Sequence, residues 1–331
     1  MVRVIGTDPG TSSLDLLLLS EGAAVDQVRL TPEALRDDPG LISGVLARWA
    51  PIDLIAGPSG YGLPLLRGDT VTARELDLMA LVRPDERGDD LGVIGFRSWV
   101  RAFLASGFPV VFLPGLIHLP TIPDCRKMNT IDLGTPDKLS VAALALRHDA
   151  AETGVGLPGS TFAVVELGSA FSAVLVVSGG ELVDASAGTR GPIGLRSGGS
   201  WDGEVACWRS PLSKNDLFRG GLVDLGAEGA EAFRESLLKH VAALRAVTPF
   251  DHLYISGSAA ERPEIVALAA EALSRFGRLV PLPSLPGAWV KHAAQGAALL
   301  ADGIAGGQNS DLVNSLRLRS ASGTVLDWLR P

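Results

Sequence analysis

The chain has 331 residues, 47% of them hydrophobic and 20% charged, and its formal net charge at pH 7 is -8. This length exceeds one ordinary hydrophobic core and predicts two lobes, while the apolar content excludes a disordered chain. The negative charge argues against nucleic acid and anionic membrane surfaces as partners.

The cysteines and the N-terminus indicate a cytoplasmic protein. Cys125 and Cys207 show neither a CxxC spacing nor a zinc-like pairing with histidine, so we expect reduced thiols. The first strand begins almost at the first residue, which leaves no room for a signal peptide. The apolar stretch 108–122 is too short and too rich in proline to span a bilayer.

The N-terminal half predicts the order β-β-β-α-β-α-β, the alternation of an α/β lobe. We expect strands at 4–7, 14–20 and 24–30, a helix at 40–50, a strand at 52–56, helices at 71–82 and 93–106, and a strand at 110–113.

The same order recurs after residue 160. We expect strands at 162–167, 172–177 and 181–185, a loop-rich insertion at 188–224, a helix at 230–246, a strand at 253–256, a helix at 263–276 and a strand at 279–281. This internal repeat predicts two lobes, 1–155 and 156–331, with the last helices packing back toward the first lobe. Two helices rich in small residues, 136–146 and 288–304, are expected to cross.

The first hairpin turn carries a carboxylate followed by small polar residues. Asp8 ends the first strand, and Gly10, Thr11, Ser12 and Ser13 follow it. Consecutive amides in a tight turn form a nest for phosphate oxygens, and a carboxylate suits Mg²⁺. The alternative is an ordinary hairpin whose aspartate caps its own turn.

A second turn of the same design follows the first strand of the repeat. Glu166 occupies the place of Asp8, and Gly168, Ser169 and Ser172 are small enough to let a ligand approach the backbone. The alternative is a core glutamate paired with a nearby cation.

A third element joins the strand 253–256 to a helix. Gly257, Ser258, Ala259 and Glu261 form this turn, which suits the sugar or base of a nucleotide, since amides at a helix start also attract anions. The alternative is a tight turn in which Ser258 caps the helix.

Together the three elements resemble the first phosphate, second phosphate and adenosine motifs of the superfamily of acetate and sugar kinases, heat-shock chaperones and actin. The resemblance implies an α/β fold of two duplicated ribonuclease H-like lobes around a nucleotide cleft, the actin-like ATPase fold. It implies ATP and Mg²⁺ as cofactors, with Asp8 and Glu166 as metal ligands. The second motif of the superfamily commonly carries Asp where this chain has Glu166, and the longer side chain would shift the ion.

Several short stretches are similar to a small, largely archaeal family of predicted butyrate kinases. They are 6–11, 134–138, 202–206, 294–298 and 301–307. This resemblance again implies a kinase.

The superfamily resemblance implies a phosphoryl acceptor bound largely to the N-terminal lobe. Asp137 and Lys138 would lie near the γ-phosphate, where Lys138 neutralises transferring charge, and Asp202 or Glu204 would be the base. Arginine suits a carboxylate or phosphate acceptor because it binds in bidentate fashion. The candidate acceptor residues are Tyr61, Arg67, Arg126, Asn129, Arg190 and Arg196. The alternative for each is a surface ion pair or a loop cap.

We therefore expect an ATP-dependent kinase for a small metabolite such as a carboxylic acid, and a homodimer is left open. The alternatives are an ATPase switch and a nucleotide-binding scaffold without turnover. The GxGxxG sequence at 154–159 precedes a strand, which is the wrong context for a dinucleotide fold, and the sequence has no GxxxxGK[ST] loop. The paired histidines of carbamoyl-type transferases are also absent from the sequence.

Overall fold

A computed structural model describes residues 2–81 and 95–330 of the chain. The chain divides into two compact units. Unit 1 comprises Met1–Ile131, Thr135–His148 and Pro283–Pro331, and unit 2 comprises Asp132–Gly134 and Asp149–Leu282. The expected lobe boundary at residue 155 stays a prediction, because compactness by itself does not delimit the two copies of a repeat.

Unit 1 contains a six-stranded mixed sheet with the order β3-β2-β1-β4-β6-β5. The strands β1, β2 and β3 form an antiparallel meander, and β1, β4 and β6 run parallel. Their bounds are β1 Arg3–Pro9, β2 Leu14–Ser20, β3 Ala23–Leu30, β4 Leu54–Gly57, β5 Leu66–Arg67 and β6 Val110–Phe112.

Strands β1 and β2 are buried on both faces, because helices cover the sheet on either side. The run Leu14-Asp15-Leu16-Leu17-Leu18-Leu19 is buried throughout, as expected for a central strand rather than an edge strand. One face packs against Leu46, Trp49, Trp99 and Phe103. The helices of this part of the chain are α1 Pro32–Asp37, α2 Leu41–Trp49, α3 Ala73–Ala80, α4 Phe96–Leu104 and α5 Asp124–Lys127.

Unit 2 contains a five-stranded sheet with the order β11-β10-β7-β8-β9. Again three antiparallel strands are followed by two parallel ones. The bounds are β7 Phe162–Leu167, β8 Ser172–Ser178, β9 Glu181–Ser186, β10 His252–Ser256 and β11 Arg278–Pro281. The later helices are α6 Pro136–Thr153, α7 Gly203–Arg209, α8 Gly229–Val247, α9 Pro263–Leu273, α10 His292–Ile304 and α11 Ser310–Ser315.

The predicted duplication is confirmed by the two strand orders. Read outward from the meander, β3-β2-β1-β4-β6 in unit 1 corresponds to β9-β8-β7-β10-β11 in unit 2, with the same parallel and antiparallel neighbours. Unit 1 adds the short antiparallel edge strand β5. The chain is therefore a mixed α/β protein with two ribonuclease H-like sheets.

The two small-residue helices α6 and α10 pack closely, as expected. A Cβ atom on Gly296 would lie 1.8 Å from the carbonyl oxygen of Ser140, and one on Gly6 would lie 2.2 Å from the carbonyl oxygen of Ala294. Glycine thus lets α10 approach both α6 and strand β1 at backbone distance.

Most predicted boundaries agree with the structure to within a few residues, and two differ for identifiable reasons. The helix predicted at 288–304 begins at His292, because the preceding backbone is hydrogen-bonded to Gln27. The helix predicted at 136–146 continues to Thr153, since no helix breaker precedes Gly154. Residues 82 and 93, which end one predicted helix and start another, lie outside the described residues.

No helix within residues 2–81 and 95–330 combines the length and the apolar character needed to cross a membrane.

Candidate functional site

The turn between β1 and β2 places a buried carboxylate beside exposed polar groups. The amide of Gly10 donates to the carbonyl of Ser13 over 2.9 Å and closes the turn. Asp8 is 6% exposed, whereas Thr11 and Ser12 are exposed residues. The turn therefore presents hydroxyl groups and backbone to a ligand, with the carboxylate behind them.

Lys291, which precedes helix α10, brings a positive charge to this turn. Its Nζ lies 3.5 Å from Asp8 Oδ2, 3.7 Å from Asp15 Oδ1 and 3.4 Å from the carbonyl oxygen of Ser13. A Cβ atom on Gly10 would lie 2.5 Å from this Nζ, so the glycine leaves room for the ammonium group.

Burial and neighbouring charges set the protonation of Asp8. Burial raises the pKa of Asp8, the Lys291 ammonium opposes that shift, and the charges of Asp137 and Asp15 reinforce it. The influence of Asp137 shows that the start of α6 lies in the same electrostatic environment as the turn.

Asp137 and Lys138 form a close pair in the first turn of α6. Lys138 Nζ donates to Asp137 Oδ2 over 2.6 Å, and the hydroxyl of Thr135 also donates to Asp137. Burial works to raise the pKa of Asp137, but the Lys138 ammonium and these hydrogen bonds outweigh it and lower the pKa. Asp137 is therefore the ionised partner of a fixed lysine.

The carboxylates of unit 1 fit Mg²⁺ delivered with a polyphosphate. Asp8 and Asp137 are oxygen donors, and Mg²⁺ in nucleotide sites uses one or two carboxylates together with phosphate oxygens and water. Among the residues that the structure describes, no group of three His, Cys, Asp or Glu side chains is arranged to hold a metal ion alone. This donor set suits a metal whose remaining ligands come from the nucleotide and solvent.

The loop after β4 lies against the start of α6. A Cβ atom on Gly62, whose φ is +93°, would lie 2.3 Å from the amide nitrogen of Gly115 and 3.1 Å from the ring of Pro136. The neighbouring Tyr61 is half-buried, and its amide donates to the carbonyl of Met79 over 2.9 Å. Gly62, next to Tyr61, thus contacts the start of α6, and the role of Tyr61 in acceptor binding stays a prediction.

Three other predicted acceptor residues of unit 1 have their own neighbours. Arg67 is exposed and faces Asp69, with 3.4 Å between Nε and Oδ1. Arg126 is half-buried in α5. Asn129 Oδ1 accepts from the amide of Arg330 over 2.8 Å, which ties the C-terminal segment down. Their role in acceptor binding stays a prediction.

The second predicted turn, in unit 2, repeats the hydrogen bond of the first. The amide of Gly168 donates to the carbonyl of Phe171 over 2.9 Å, just as the amide of Gly10 donates to Ser13. Glu166 precedes Gly168 by two residues, as Asp8 precedes Gly10, and both carboxylates are buried. Ser169 is half-buried and Ser172 is buried at the start of β8.

The predicted adenosine turn packs directly on the second turn. Gly257 has a φ of +102°, and a Cβ atom there would lie 2.2 Å from the carbonyl oxygen of Leu167. Ser258, Ala259 and Glu261 form one short 3-10 turn after it. Unit 2 thus brings the predicted phosphate and adenosine elements together within one compact body.

The insertion 188–224 contains buried, half-buried and exposed residues. The amides of Arg196 and Ser197 both donate to the carbonyl of Ala170, which fixes the insertion to the second turn. The guanidinium of Arg196 lies 5.6 Å from the ring centre of Phe218, and Arg190 is exposed.

The two predicted bases lie at the start of α7. Asp202 caps this helix by accepting from the amide of Glu204 over 3.0 Å. Both side chains are exposed. Asp202 caps the helix, which is the alternative role considered for it above. Catalysis by either residue stays a prediction.

Two residues of the unit 1 site were not predicted from the sequence. Asp15 lies on β2 directly opposite Asp8. Lys291 contacts Ser13, although the two residues are 278 positions apart in the sequence. A charged residue inside the apolar run 14–19 was the available signal for Asp15. No local pattern marks Lys291, because its partners are distant in the sequence.

Comparison with known families identifies the chain. The family model described as "Protein of unknown function (DUF1464)" matches residues 6–331. The chain belongs to the DUF1464 family. No curated protein sequence matches this DUF1464 chain.

Solved structures show which fold this DUF1464 chain shares. A propionate kinase from Francisella tularensis is 13% identical with a TM-score of 0.63, over 90% of this chain and 98% of that one. An acetate kinase from Porphyromonas gingivalis is 13% identical with a TM-score of 0.57, over 84% and 88%. An acetate kinase from Entamoeba histolytica is 12% identical with a TM-score of 0.55, over 83% and 87%.

These similarities confirm the actin-like ATPase fold that the three sequence elements predicted. At such low identity they show the fold alone. The narrower resemblance to predicted butyrate kinases stays a prediction.

Proposed function

We propose that this chain is an ATP-dependent phosphotransferase acting on a small metabolite. The observation that carries the proposal is the charge cluster of unit 1, where Lys291 lies 3.5 Å from Asp8 beside the Gly10 turn and the charges of the Asp137–Lys138 pair act on Asp8. Phosphoryl transfer is catalysed mainly by positioning and by neutralising phosphate charge, and carboxylates that hold hydrated Mg²⁺ beside lysines supply both.

Each residue of the cluster has a distinct proposed task. Asp8 would hold Mg²⁺, which supplies charge neutralisation to the phosphate oxygens when bound. The Gly10–Ser13 turn offers backbone and hydroxyl groups to a phosphate. Lys138, oriented by Asp137, stabilises the charge that develops on the transferring group. Glu166 is the corresponding candidate ligand in unit 2.

The hydrogen bonds of Asp137 favour a carboxylic acid as the acceptor. One of its oxygens accepts from Thr135 and the other from Lys138, so neither is placed to remove a proton from an alcohol. A carboxylate acceptor is already ionised at neutral pH and needs no base. Its oxygen forms the new bond to phosphorus while the bond to the leaving ADP breaks, which yields an acyl phosphate.

The fold comparisons support testing this acceptor class first. The three similar structures are described as a propionate kinase and two acetate kinases. In unit 2, the Gly168 turn and the adjoining Gly257–Glu261 turn are proposed as nucleotide-binding elements. A small-molecule acceptor and a cytoplasmic location complete the proposal.

Calorimetry tests nucleotide binding before any question of turnover. ATP is titrated into the protein with Mg²⁺ and, separately, with EDTA. We expect binding that is tighter with Mg²⁺, and Asp8→Asn should remove most of that Mg²⁺ dependence. Asp311→Asn, which changes a half-exposed carboxylate of the same unit, is the matched control and should bind like the wild type. No binding to the wild type under either condition would refute the proposal.

Turnover is tested by ADP release with acetate, propionate and butyrate, and acyl phosphate is trapped with hydroxylamine. Acceptor-dependent ADP release that falls at least about 100-fold in Asp8→Asn supports a kinase, since a site that has lost its charge-stabilising ligand loses this much. ADP release that is independent of any acceptor indicates an ATPase switch. Binding without release indicates a scaffold without turnover.

A further inference from the structure

We infer that the Lys291 ammonium binds the phosphate group held by the Gly10–Ser13 turn, and that it competes with a divalent cation for Asp8. The inference rests on the proposed function, because it assigns a residue to the same nucleotide site. Lys291 lies far from this turn in the sequence, and only the fold brings the two together.

The backbone of Lys291 is fixed in place by strands β2 and β3. Its amide donates to Asp15 Oδ2 over 3.1 Å. The two preceding amides, of Trp289 and Val290, both donate to Gln27 Oε1, over 2.7 Å and 3.2 Å. The residue that carries the ammonium group is therefore held before any ligand binds, which reduces the entropy lost on binding.

The ammonium group itself is held loosely. Its contacts with Asp8, Asp15 and Ser13 span 3.4–3.7 Å, whereas a strong charged hydrogen bond measures about 2.7–2.9 Å. By contrast, Lys138 lies 2.6 Å from its carboxylate partner. An ammonium at intermediate distance from three oxygens can turn toward a phosphate with little loss of existing bonding.

Asp15 has neutralising partners besides Lys291. Arg29 already binds Asp15 with Nε and Nη2 at 3.0 Å and 2.8 Å from Oδ2, and Ser13 donates its hydroxyl over 2.6 Å. The closer bonds of Asp15 are thus made by Arg29 and Ser13, and Lys291 Nζ lies farther from Asp15, at 3.7 Å, and 3.5 Å from Asp8.

The position of the ammonium predicts two effects of opposite sign. Nζ lies against the open face of Gly10, within reach of any anion that the turn binds, so it should strengthen phosphate binding. It also lies 3.5 Å from the carboxylate that would receive a metal ion, and like charges that share one carboxylate repel. Lys291 should therefore weaken the binding of a divalent cation added without nucleotide.

Lys291→Met tests both effects in the full chain. When ATP is titrated in the presence of EDTA, we expect the variant to bind ATP at least about tenfold more weakly. A loss of this size accompanies the removal of one charged hydrogen bond. When Mn²⁺ is titrated without nucleotide, and free Mn²⁺ is followed by its paramagnetic signal, we expect the variant to bind Mn²⁺ at least about threefold more tightly than the wild type. Lys239→Met, at an exposed lysine of α8, should change neither affinity.

Lys291→Gln repeats the test with a polar side chain in case the methionine variant does not fold, and thermal unfolding checks both proteins. If the wild type binds ATP and the Lys291 variants bind it with the same affinity, the inference is overturned and the proposed function remains intact. Weaker ATP binding together with weaker Mn²⁺ binding overturns the competition and indicates a structural role. Failure of the wild type to bind ATP refutes the proposed function and this inference with it.

Discussion

Arg29 binds the fully buried carboxylate of Asp15 with two nitrogen atoms, at 3.0 Å and 2.8 Å from the same oxygen. Asp15 lies directly across the β1–β2 ladder from Asp8, so this ion pair supports the strand that faces the proposed metal ligand. Burial opposes ionisation of Asp15, but the Arg29 hydrogen bonds and the Lys291 charge outweigh it and lower the pKa of Asp15.

Asp15→Asn should destabilise the protein by about 2–4 kcal/mol, because it removes one partner of a buried ion pair. Chemical unfolding measures the change. The control Asp311→Asn, whose pair with Arg147 is half-exposed, should cost less than about 1 kcal/mol. The lowered pKa also fixes the sign of the pH dependence: the stabilisation by Asp15 is present above about pH 4 and is lost as the pH falls further. Equal effects of the two variants would contradict this account.

Gly296→Ala should destabilise the protein by about 2–3 kcal/mol, since its methyl group would meet the backbone of α6 at Ser140. Gly44→Ala is the matched control. Gly44 lies in α2 with no atom within 4 Å of the added Cβ, so the substitution should stabilise by about 0.5–1 kcal/mol through helix propensity. Thermal unfolding of the two variants should therefore shift in opposite directions, and a shift in the same direction would refute the close packing of α6 and α10.

His252 should stabilise unit 2 mainly when it is protonated. Nε2 lies 2.7 Å from Asp149 Oδ1 and Nδ1 lies 2.7 Å from Asp251 Oδ1, and only the imidazolium can donate to both oxygens. Burial acts to lower the pKa of His252, but these carboxylates raise it above its ordinary value near 6.5. The contribution is therefore complete below about pH 6.5 and is lost as the pH rises through the raised pKa.

Melting temperatures of the wild type and His252→Gln, measured from pH 6 to pH 9, test this dependence. We expect the variant to melt about 2–4 °C lower at pH 6 and the difference to shrink toward pH 9. A difference that grows with pH would show that the neutral ring is the stabilising form.

Trp328→Ala should loosen the C-terminal segment from α5. Lys127 is buried, donates to the carbonyl of Leu119 over 2.8 Å, and lies 4.8 Å from the ring centre of Trp328. Losing this ring should cost about 1–2 kcal/mol and increase proteolysis of the last ten residues. Trp208→Ala is the control, because that side chain is 91% exposed and should be neutral. Unchanged proteolysis in Trp328→Ala would be the contrary result.

The sequence predicted those parts of the fold that depend on local pattern. Strand β2 begins and ends where the apolar run 14–20 does, and β7 likewise matches its predicted bounds. The two turns could be recognised as equivalent because Gly10 follows Asp8, and Gly168 follows Glu166, at the same spacing of two residues. Both signals come from residues adjacent in the chain.

The charge partners of the site could not be predicted in the same way. Lys291 reaches Asp8 only because α10 packs on β1 at Gly6, a contact between segments far apart in the sequence. Asn129 was expected to bind the acceptor, and the structure shows its amide oxygen holding the backbone of Arg330. Tertiary packing determines which distant residues a polar side chain contacts. Such contacts produce no periodic pattern or fixed spacing that could be recognised in a single sequence.

The residues that face the two acids across their hairpins make the halves of this repeat unequal. Asp15 stands opposite Asp8, whereas Ala173 stands opposite Glu166. The first hairpin therefore carries two carboxylates, whose charge Arg29 and Lys291 from elsewhere in unit 1 offset. In the second hairpin the facing residue is the uncharged Ala173, which adds no charge to be offset. A chimera with hairpin 3–20 transplanted into the second position would bury an uncompensated carboxylate, while the reverse graft would not. The two hairpins should therefore be exchangeable in one direction only.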